Sequence, residues 1–318
     1  MLTKLVDYYS RIGGKKYEDN ALNVLTYHRV TEDKDLLRPL HLTTELFSKQ
    51  VLWLKRNFVV LSLPEAIELS ERNKLPPKAV TITVDDGYRD SYDFIYNILK
   101  DQGVSACFFI ATEGLEKGFL WEDEIASVVF NAPNQLTTIT LDNKLYNIDT
   151  YRTRQSTVAE LTERIKYKSL IERNREISFL QQQTNLEQEN QNIFLLPEYI
   201  KEMHLGGMTI GAHTHRHPIL SLEEDNDAFV EIQKSKLILE TIIQEKVEYF
   251  AFPNGLYRKD FDDKHIEMVK KLGFKAAFST NWGTLTNFSD ERFKIKRFTP
   301  WDETELKFCL RLALNYRK

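Results

Sequence analysis

The sequence predicts an α/β fold, and a barrel is favoured over an open sheet. Short apolar segments rich in β-branched residues alternate with segments of helical periodicity, as the repeated β-α units of a parallel sheet require. The length of 318 residues suits a single barrel of this kind. Carboxylates and imidazoles also collect directly after predicted strands, where barrel enzymes carry their catalytic groups.

The individual elements follow from hydrophobic periodicity and from turn residues. The predicted strands are short apolar runs at residues 23–27, 58–61, 79–84, 106–111, 209–212, 249–252 and 276–279. The predicted helices have apolar residues three and four apart, and they cover 46–57, a segment from Pro64, 90–102, 228–244 and 260–272. Gly103 is the stop signal of the third helix.

The alternation breaks between residues 113 and 196, which we interpret as an insertion within one domain of residues 1–318. Residues 136–148 predict a hairpin that turns at Asp142-Asn143. Residues 152–180 predict one or two charged helices, and 181–192 predict a polar loop. Such an insertion either shapes access to the active face or decorates the periphery, and the sequence favours neither.

Composition limits the partners and the compartment. A formal net charge of −4 does not favour nucleic acid. No apolar run is long enough to cross a membrane, and the N-terminus lacks a signal peptide pattern, showing helical spacing over its first twelve residues. Cys107 and Cys309 lie too far apart in sequence to suggest a disulfide framework, so we expect a cytoplasmic protein.

The first chemical motif is Asp85-Asp86-Gly87, at the end of the strand predicted for 79–84. Two adjacent carboxylates at the end of a buried strand are costly unless a cation or a proton compensates them. Gly87 permits the sharp turn that would expose them. An ordinary loop, in which the aspartates cap the next helix, is a comparable interpretation of this motif alone.

The second motif carries three of the seven histidines, His213, His215 and His217, directly after another predicted strand. Imidazole is a preferred ligand of zinc and other late divalent metals. His213 and His217 converge on one ion if the loop turns back, whereas His215 has the wrong alternation. A solvated polar loop is the alternative. Two histidines and one aspartate around a metal are typical of a hydrolytic site, which we favour here.

These motifs resemble the polysaccharide deacetylase family, also called the NodB-homology group or carbohydrate esterase family four. Residues 83–87 resemble its first motif, Thr-Phe-Asp-Asp-Gly, and residues 213–217 resemble its second. Other segments resemble a branch associated with capsule and lipopolysaccharide synthesis: 25–30, 120–124 and 250–255. The likeness spans residues 23–301, and it implies a distorted (β/α)₇ barrel.

The resemblance also implies roles for particular residues. Asp86, His213 and His217 would hold one divalent metal, zinc first, with nickel and cobalt as alternatives. Asp85 would be the general base, and the backbone N–H of Tyr88 would assist the oxyanion. The implied substrate is an N- or O-acetylated sugar, as a glycan or a lipid-linked saccharide.

Two departures from the family pattern concern catalysis. Ala251 stands where many members have an arginine that orients the base. The region that matches the final motif, 295–298, has no histidine to act as general acid. His28 is an alternative acid, although a structural role for it is equally compatible with the sequence. Arg297 could orient Asp85 or stabilise charge.

Four residues make up the predicted substrate-binding set. Tyr88 and Trp282 offer aromatic faces for a sugar ring. Pro253 and Asn254 belong to the segment that resembles the third motif. The C-terminal residues 305–318 predict an amphipathic helix that packs on the barrel, with peripheral membrane contact as the alternative.

Two further functions compete with the deacetylase interpretation. A metal-dependent phosphoesterase would use similar ligands, but it usually needs more carboxylates or a second metal. A carbohydrate-binding barrel with weakened catalysis is supported only by the missing final histidine.

Overall fold

Seven parallel strands form a nearly closed barrel in a computed structural model that describes residues 20–33, 42–185 and 192–316. The order around the barrel is β1 (Leu22–Tyr27), β5 (Ala79–Val84), β6 (Cys107–Ile110), β9 (Thr209–Ala212), β10 (Tyr249–Ala251), β11 (Ala276–Trp282) and β12 (Ile295–Arg297), with β4 (Val59–Val60) paired to β5 outside this path. Phe298, directly after β12, closes the barrel against β1. Thr26 N–H donates to the Phe298 carbonyl at 2.9 Å, and Phe298 N–H donates to the Val24 carbonyl at 2.8 Å. The predicted (β/α)₇ barrel is therefore confirmed.

The strands are mostly short, and most lie close to the predicted segments. They are β1 (Leu22–Tyr27), β2 (Val30–Thr31), β3 (Leu42–Thr43), β4 (Val59–Val60), β5 (Ala79–Val84), β6 (Cys107–Ile110), β7 (Thr138–Leu141), β8 (Lys144–Asn147), β9 (Thr209–Ala212), β10 (Tyr249–Ala251), β11 (Ala276–Trp282) and β12 (Ile295–Arg297). The pairs β2–β3 and β7–β8 lie outside the barrel.

The helices separate successive barrel strands, belong to the segment between β6 and β9, or, for the last one, follow β12. They are α1 (Thr44–Asn57), α2 (Leu63–Glu71), α3 (Asn97–Asp101), α4 (Gly114–Lys117), α5 (Trp121–Phe130), α6 (Tyr151–Lys166), α7 (Leu170–Thr184), α8 (Pro197–Leu205), α9 (Asp225–Ile243), α10 (Asp263–Lys271), α11 (Phe288–Glu291) and α12 (Glu305–Asn315).

Three details differ from the sequence-based expectation. The helix predicted for 90–102 begins as a π-helical segment, Ser91–Tyr96, before it becomes α3. Strand β11 extends three residues beyond the predicted 279, to Trp282. Residues 181–184, expected in a polar loop, are the last turn of α7, and residues 186–191 lie outside the described part of the chain, as does the predicted N-terminal helical segment.

Alternate strand residues fill the interior of the barrel. The rings of Phe109 and Phe278 lie 5.3 Å apart in one buried cluster. A Cβ on Gly211 would come within 2.4 Å of the Phe109 ring, so the glycine permits close packing two residues before His213. A second cluster joins the other faces of the strands to α1 and α9. Because the strands are buried on both faces, their sequences are continuous apolar runs.

The segment between β6 and β9 has a hydrophobic cluster of its own, built from α5, the β7–β8 hairpin, α6 and α7. Asp142 and Asn143 form the hairpin turn with φ of +49° and +62°, as an Asp-Asn turn of the primed type requires. The predicted hairpin is confirmed, and the charged segment forms two helices. Assigning residues 113–196 to an insertion within one domain stays a prediction.

Helix α12 packs its apolar face against the barrel. Phe308, Cys309 and Leu312 are buried, and the Phe308 ring lies 5.7 Å from that of Trp53 on α1. This contact agrees with the packing interpretation of the C-terminal segment. In the described ranges, no helix combines the length and apolar character needed to span a bilayer.

Candidate active site

Three side chains converge at the carboxyl ends of β5 and β9. Asp86 Oδ1 lies 3.6 Å from His213 Nε2 and 3.5 Å from His217 Nε2. Ligand atoms about 2.1 Å from one tetrahedral ion are separated by about 3.4 Å. The two distances from Asp86 are close to this spacing, and all three ligand atoms lie within 4.8 Å of one another. One carboxylate with two imidazoles is also a donor set that suits zinc.

Backbone geometry turns these residues out of their strands. Asp86 has φ of +78° and Gly87 has φ of +99°, both in the left-handed region. Residues after β6 tie the two motif loops together: Ala111 N–H donates to the Asp86 carbonyl at 2.9 Å, and Thr112 N–H donates to that of Thr214 at 3.2 Å. The two loops are thereby held at a fixed separation.

Hydrogen bonding at the other ring nitrogen orients His213. Its Nδ1–H donates to the carbonyl of Ala251 at 2.7 Å, so in the neutral ring Nε2, which faces the cluster, is the nitrogen with the free lone pair. Ala251, which stands at the position of the family arginine, thus orients His213 through its backbone carbonyl. His215 lies outside the cluster, as predicted, because its Nδ1 contacts Thr112 Oγ1 at 3.0 Å and its Nε2 contacts Lys234 Nζ at 2.7 Å.

Asp85 is paired with Arg297. The guanidinium donates to the two carboxylate oxygens at 2.8 and 2.7 Å, and both side chains are almost fully buried. Arg297 also donates to the carbonyl of Ser279 at 2.9 Å. Arg297, from β12, thus orients the Asp85 carboxylate beside the candidate metal ligands.

Burial and charge determine the protonation states. Burial raises the pKa of Asp85, but Arg297, His213 and His28 outweigh it and hold that pKa below its usual value. Burial also raises the pKa of Asp86, but a hydrogen bond with His213 and the positive charge that His28 and His217 carry when protonated outweigh it, so this pKa too lies below its usual value. Burial, together with the charge of His213, lowers the pKa of His217 to about 3. At neutral pH Asp85 and Asp86 are therefore carboxylates and His217 is a neutral imidazole, so that Asp86 and His217 are in the forms that bind a cation.

A cavity of about 360 Å³ opens above Asp86. Its lining residues are Thr26, Tyr27, His28, Arg29, Leu42, Asp86, Tyr88, Glu122, Thr299 and Pro300. His28 is half-buried and lines the same cavity as Asp86. The cavity therefore has the His28 imidazole and one of the three candidate metal ligands, Asp86, in its wall.

The predicted substrate-binding residues have different environments. Tyr88 is buried, with its hydroxyl donating to Asp123 and its ring 4.3 Å below the Arg29 guanidinium. Trp282 is 42% exposed at the end of β11. Pro253 is buried, and Asn254 is half-buried with φ of +57°. A substrate role for these four residues, and for the Tyr88 N–H, stays a prediction.

The structure brings forward residues to which the sequence assigned no role. Arg29 and Glu122 line the cavity. Trp301 is 49% exposed, with its ring 5.3 Å from that of Trp282. Only weak signals pointed to them: Arg29 adjoins His28, Trp301 follows the region of the final motif, and Glu122 falls in a segment that resembles the family.

The family model described as polysaccharide deacetylase matches residues 72–277, which is more than half of the chain. The chain belongs to the polysaccharide deacetylase family. This match includes both motif loops and the Ala251 carbonyl, but it ends before Arg297.

Curated relatives of this family member include two bacterial proteins. It is 30% identical over 140 residues to a poly-beta-1,6-N-acetyl-D-glucosamine N-deacetylase of Staphylococcus epidermidis, covering 40% of this chain and 45% of that protein. It is 29% identical over 142 residues to the putative polysaccharide deacetylase YxkH of Bacillus subtilis, covering 44% and 49%. The chain thus matches less than half of the length of these relatives.

Solved structures extend the similarity in fold. The deacetylase PplD of Streptococcus pyogenes, solved with acetate, aligns over 92% of this chain and 98% of its own, with a TM-score of 0.63 and 18% identity. IcaB from Ammonifex degensii aligns over 92% and 97%, with a TM-score of 0.59 and 18% identity. At this identity the alignments establish a shared barrel fold.

Proposed function

We propose that this chain hydrolyses the acetyl group of an N-acetylated or O-acetylated sugar in a surface glycan. The observation that carries the proposal is the pairing of two arrangements at one end of the barrel. Asp86, His213 and His217 have metal-ligand spacing, and the adjacent Asp85 is oriented by Arg297. Family membership supports the reaction class.

The cation site would take one divalent metal, for which zinc is the first choice. Two imidazoles and one carboxylate are the ligand set of many hydrolytic zinc sites, and nickel and cobalt suit the same nitrogen and oxygen donors. A divalent cation supplies Lewis-acid polarisation of the acyl carbonyl and activation of water. Among the described residues, one such cluster is found, which does not favour a two-metal phosphoesterase.

Proton transfer would be divided between Asp85 and His28. Each Asp85 oxygen accepts one hydrogen bond from Arg297 and keeps a second lone pair, so the carboxylate can take the proton of the attacking water. His28 lines the cavity and would return a proton to the leaving amine or alkoxide.

The substrate would lie along the cavity, with its sugar ring toward the exposed pair Trp282 and Trp301. Trp282 would provide a face on which the sugar ring stacks. Tyr88, Pro253 and Asn254 would be the other residues that contact the substrate. Names of the curated relatives suggest a polymer of N-acetylglucosamine as the first substrate to test. Peripheral contact with a cytoplasmic membrane surface, which a lipid-linked saccharide would require, stays the alternative role of the C-terminal helix.

Acetate release tests the proposal. The metal-free protein is assayed with and without added Zn²⁺ on N-acetylglucosamine oligomers and on O-acetylated sugars, beside Asp85→Asn and Asp85→Glu. We expect zinc-dependent release that Asp85→Asn lowers about 10²- to 10⁴-fold, as expected for loss of a general base. Zinc binding by a wild-type protein that releases no acetate from any of these sugars would contradict the proposed reaction.

A further inference from the structure

The candidate metal ligands differ in how their second ring nitrogen is held. His213 Nδ1 has the Ala251 carbonyl at 2.7 Å, whereas His217 Nδ1 is buried and has no hydrogen-bond partner in the described ranges. Glu122 Oε1 lies 3.8 Å from this nitrogen. A metal-ligating imidazole ordinarily donates its second ring N–H to a carboxylate or carbonyl. Glu122 occupies the place of that acceptor.

Glu122 is directed there by the first turn of α5. The next residue, Asp123, accepts from the Tyr88 hydroxyl at 2.8 Å and from Leu120 N–H at 3.0 Å, which anchors this turn to the loop after Gly87. The Glu122 side chain is 25% exposed, and its Oε2 is buried without a hydrogen-bond partner among the described residues. The Glu122 carboxyl group thus lies in the cavity wall with one oxygen unpaired among the described residues.

Helix α7 holds the same histidine from its backbone side. Arg173 is 2% exposed and donates to the carbonyls of Arg216 at 2.6 Å and His217 at 3.1 Å. Its guanidinium also lies 4.9 Å from the ring of Trp121 on α5. His217 has φ of +54°, a conformation that needs support from its surroundings. Two helices from the segment between β6 and β9 therefore meet at one ligand.

We propose that this segment completes the metal centre, with Glu122 accepting the Nδ1–H hydrogen bond of His217 while Arg173 fixes its backbone. His217 Nε2 is then directed at the same point as Asp86 and His213 Nε2. Glu122 and Arg173 are positioning residues, since both act through His217. The inference rests on the proposed function because it takes the cluster as a cation site.

The test measures Zn²⁺ affinity by competition with a chromophoric chelator, using the full chain. We expect Glu122→Ala to bind Zn²⁺ about 10- to 100-fold more weakly, which is typical for loss of such an acceptor. Glu122→Gln should fall between wild type and Glu122→Ala, because its amide oxygen still accepts the bond but carries no charge. The visible spectrum of the Co²⁺-loaded protein should change in Glu122→Ala, since a purely structural role would leave the coordination geometry unaltered.

Glu124→Ala is the matched control, because Glu124 belongs to the same helix and faces Lys117 at 3.9 Å. It should retain wild-type affinity. Wild-type affinity in Glu122→Ala, or an equal loss in Glu124→Ala, would overturn the inference. If Glu122→Ala does not fold, Glu122→Gln must still bind more weakly than wild type. A wild-type chain that binds no Zn²⁺ would instead contradict the proposed function itself.

Discussion

Arg297, from the last strand of the barrel, donates from both terminal nitrogens to the carboxylate of Asp85, which follows the β5 strand. The pair is almost fully buried. A bidentate arginine–carboxylate pair fixes the direction of the carboxylate as well as its charge. It is therefore the relationship on which the proposed base depends.

Removing either member of this pair should destabilise the protein, because the charge of the other stays buried without its partner. Arg297→Met leaves a buried carboxylate without its partner, which typically costs about 3–5 kcal/mol. Asp85→Asn should also destabilise the protein, since the arginine charge remains. The double variant should lose less than the sum of the single losses, as measured by urea unfolding. Additive losses would show that the two side chains are not coupled.

Arg297→Met should also change the pH profile of acetate release. Arg297 holds the pKa of Asp85 below its usual value, and its removal lets burial raise that pKa. Because the base must be ionised, the acidic limb of the kcat/KM profile should move to higher pH in Arg297→Met. An unmoved acidic limb would assign the limb to another group.

Cation binding should stabilise the wild-type protein but not a ligand variant. At a Zn²⁺ concentration of 100 times Kd, the expected gain is about 2.7 kcal/mol, seen as a Tm increase of several degrees. His213→Ala should show no such increase. His215→Ala is the control, because His215 lies outside the cluster and should keep the zinc-dependent shift.

His28 is tested by comparing leaving groups. Loss of a general acid should lower kcat about 10²- to 10⁴-fold on an N-acetyl sugar, because an amine must be protonated as it leaves. An aryl acetate has a leaving group that needs no proton, so His28→Gln should affect it much less. Equal losses on both substrates, with zinc affinity unchanged, would contradict the acid role.

Trp282 is predicted to act in binding. An aromatic contact contributes about 0.5–1.5 kcal/mol, so Trp282→Ala should raise KM for an acetylated oligosaccharide about two- to tenfold with little change in kcat. Leu205→Ala is a suitable control, since Leu205 is 77% exposed at the end of α8, before β9 begins. A change in kcat alone would place Trp282 in the chemical step.

Away from the site, His265 should make the metal-free protein less stable in acid. Burial lowers the pKa of His265 and outweighs the opposing effect of the Asp262 carboxylate, whose Oδ1 lies 2.8 Å from Nδ1. Asp262 N–H also donates to Nδ1, and Nε2–H donates to the Leu220 carbonyl. The unfolded state binds the proton near pH 6.5 and the folded state only at lower pH, so stability decreases as pH falls below about 6.5. His265→Gln should reduce this slope in urea unfolding; an identical slope would contradict the assignment.

The sequence by itself determined the barrel class and the candidate ligands. Continuous apolar runs indicate strands buried on both faces, and ligands placed directly after such strands meet at one edge of the sheet. Spacing and chemistry brought His213 and His217 together with an aspartate, the family resemblance implied that this aspartate is Asp86, and the structure brings the three side chains together. The hairpin turn at Asp142-Asn143 could also be predicted, because its conformation depends on the turn residues themselves.

Tertiary structure decided the contacts between residues far apart in sequence. Strand β12 has three residues, too few for a periodic signal, so neither the closure through Phe298 nor the bidentate geometry of Arg297 could be read beforehand. The positions of Glu122 and Arg173 depend on how α5 and α7 pack against the loop of His217. Periodicity reports which face of an element is buried, but the partner of that face depends on the path of the chain between elements.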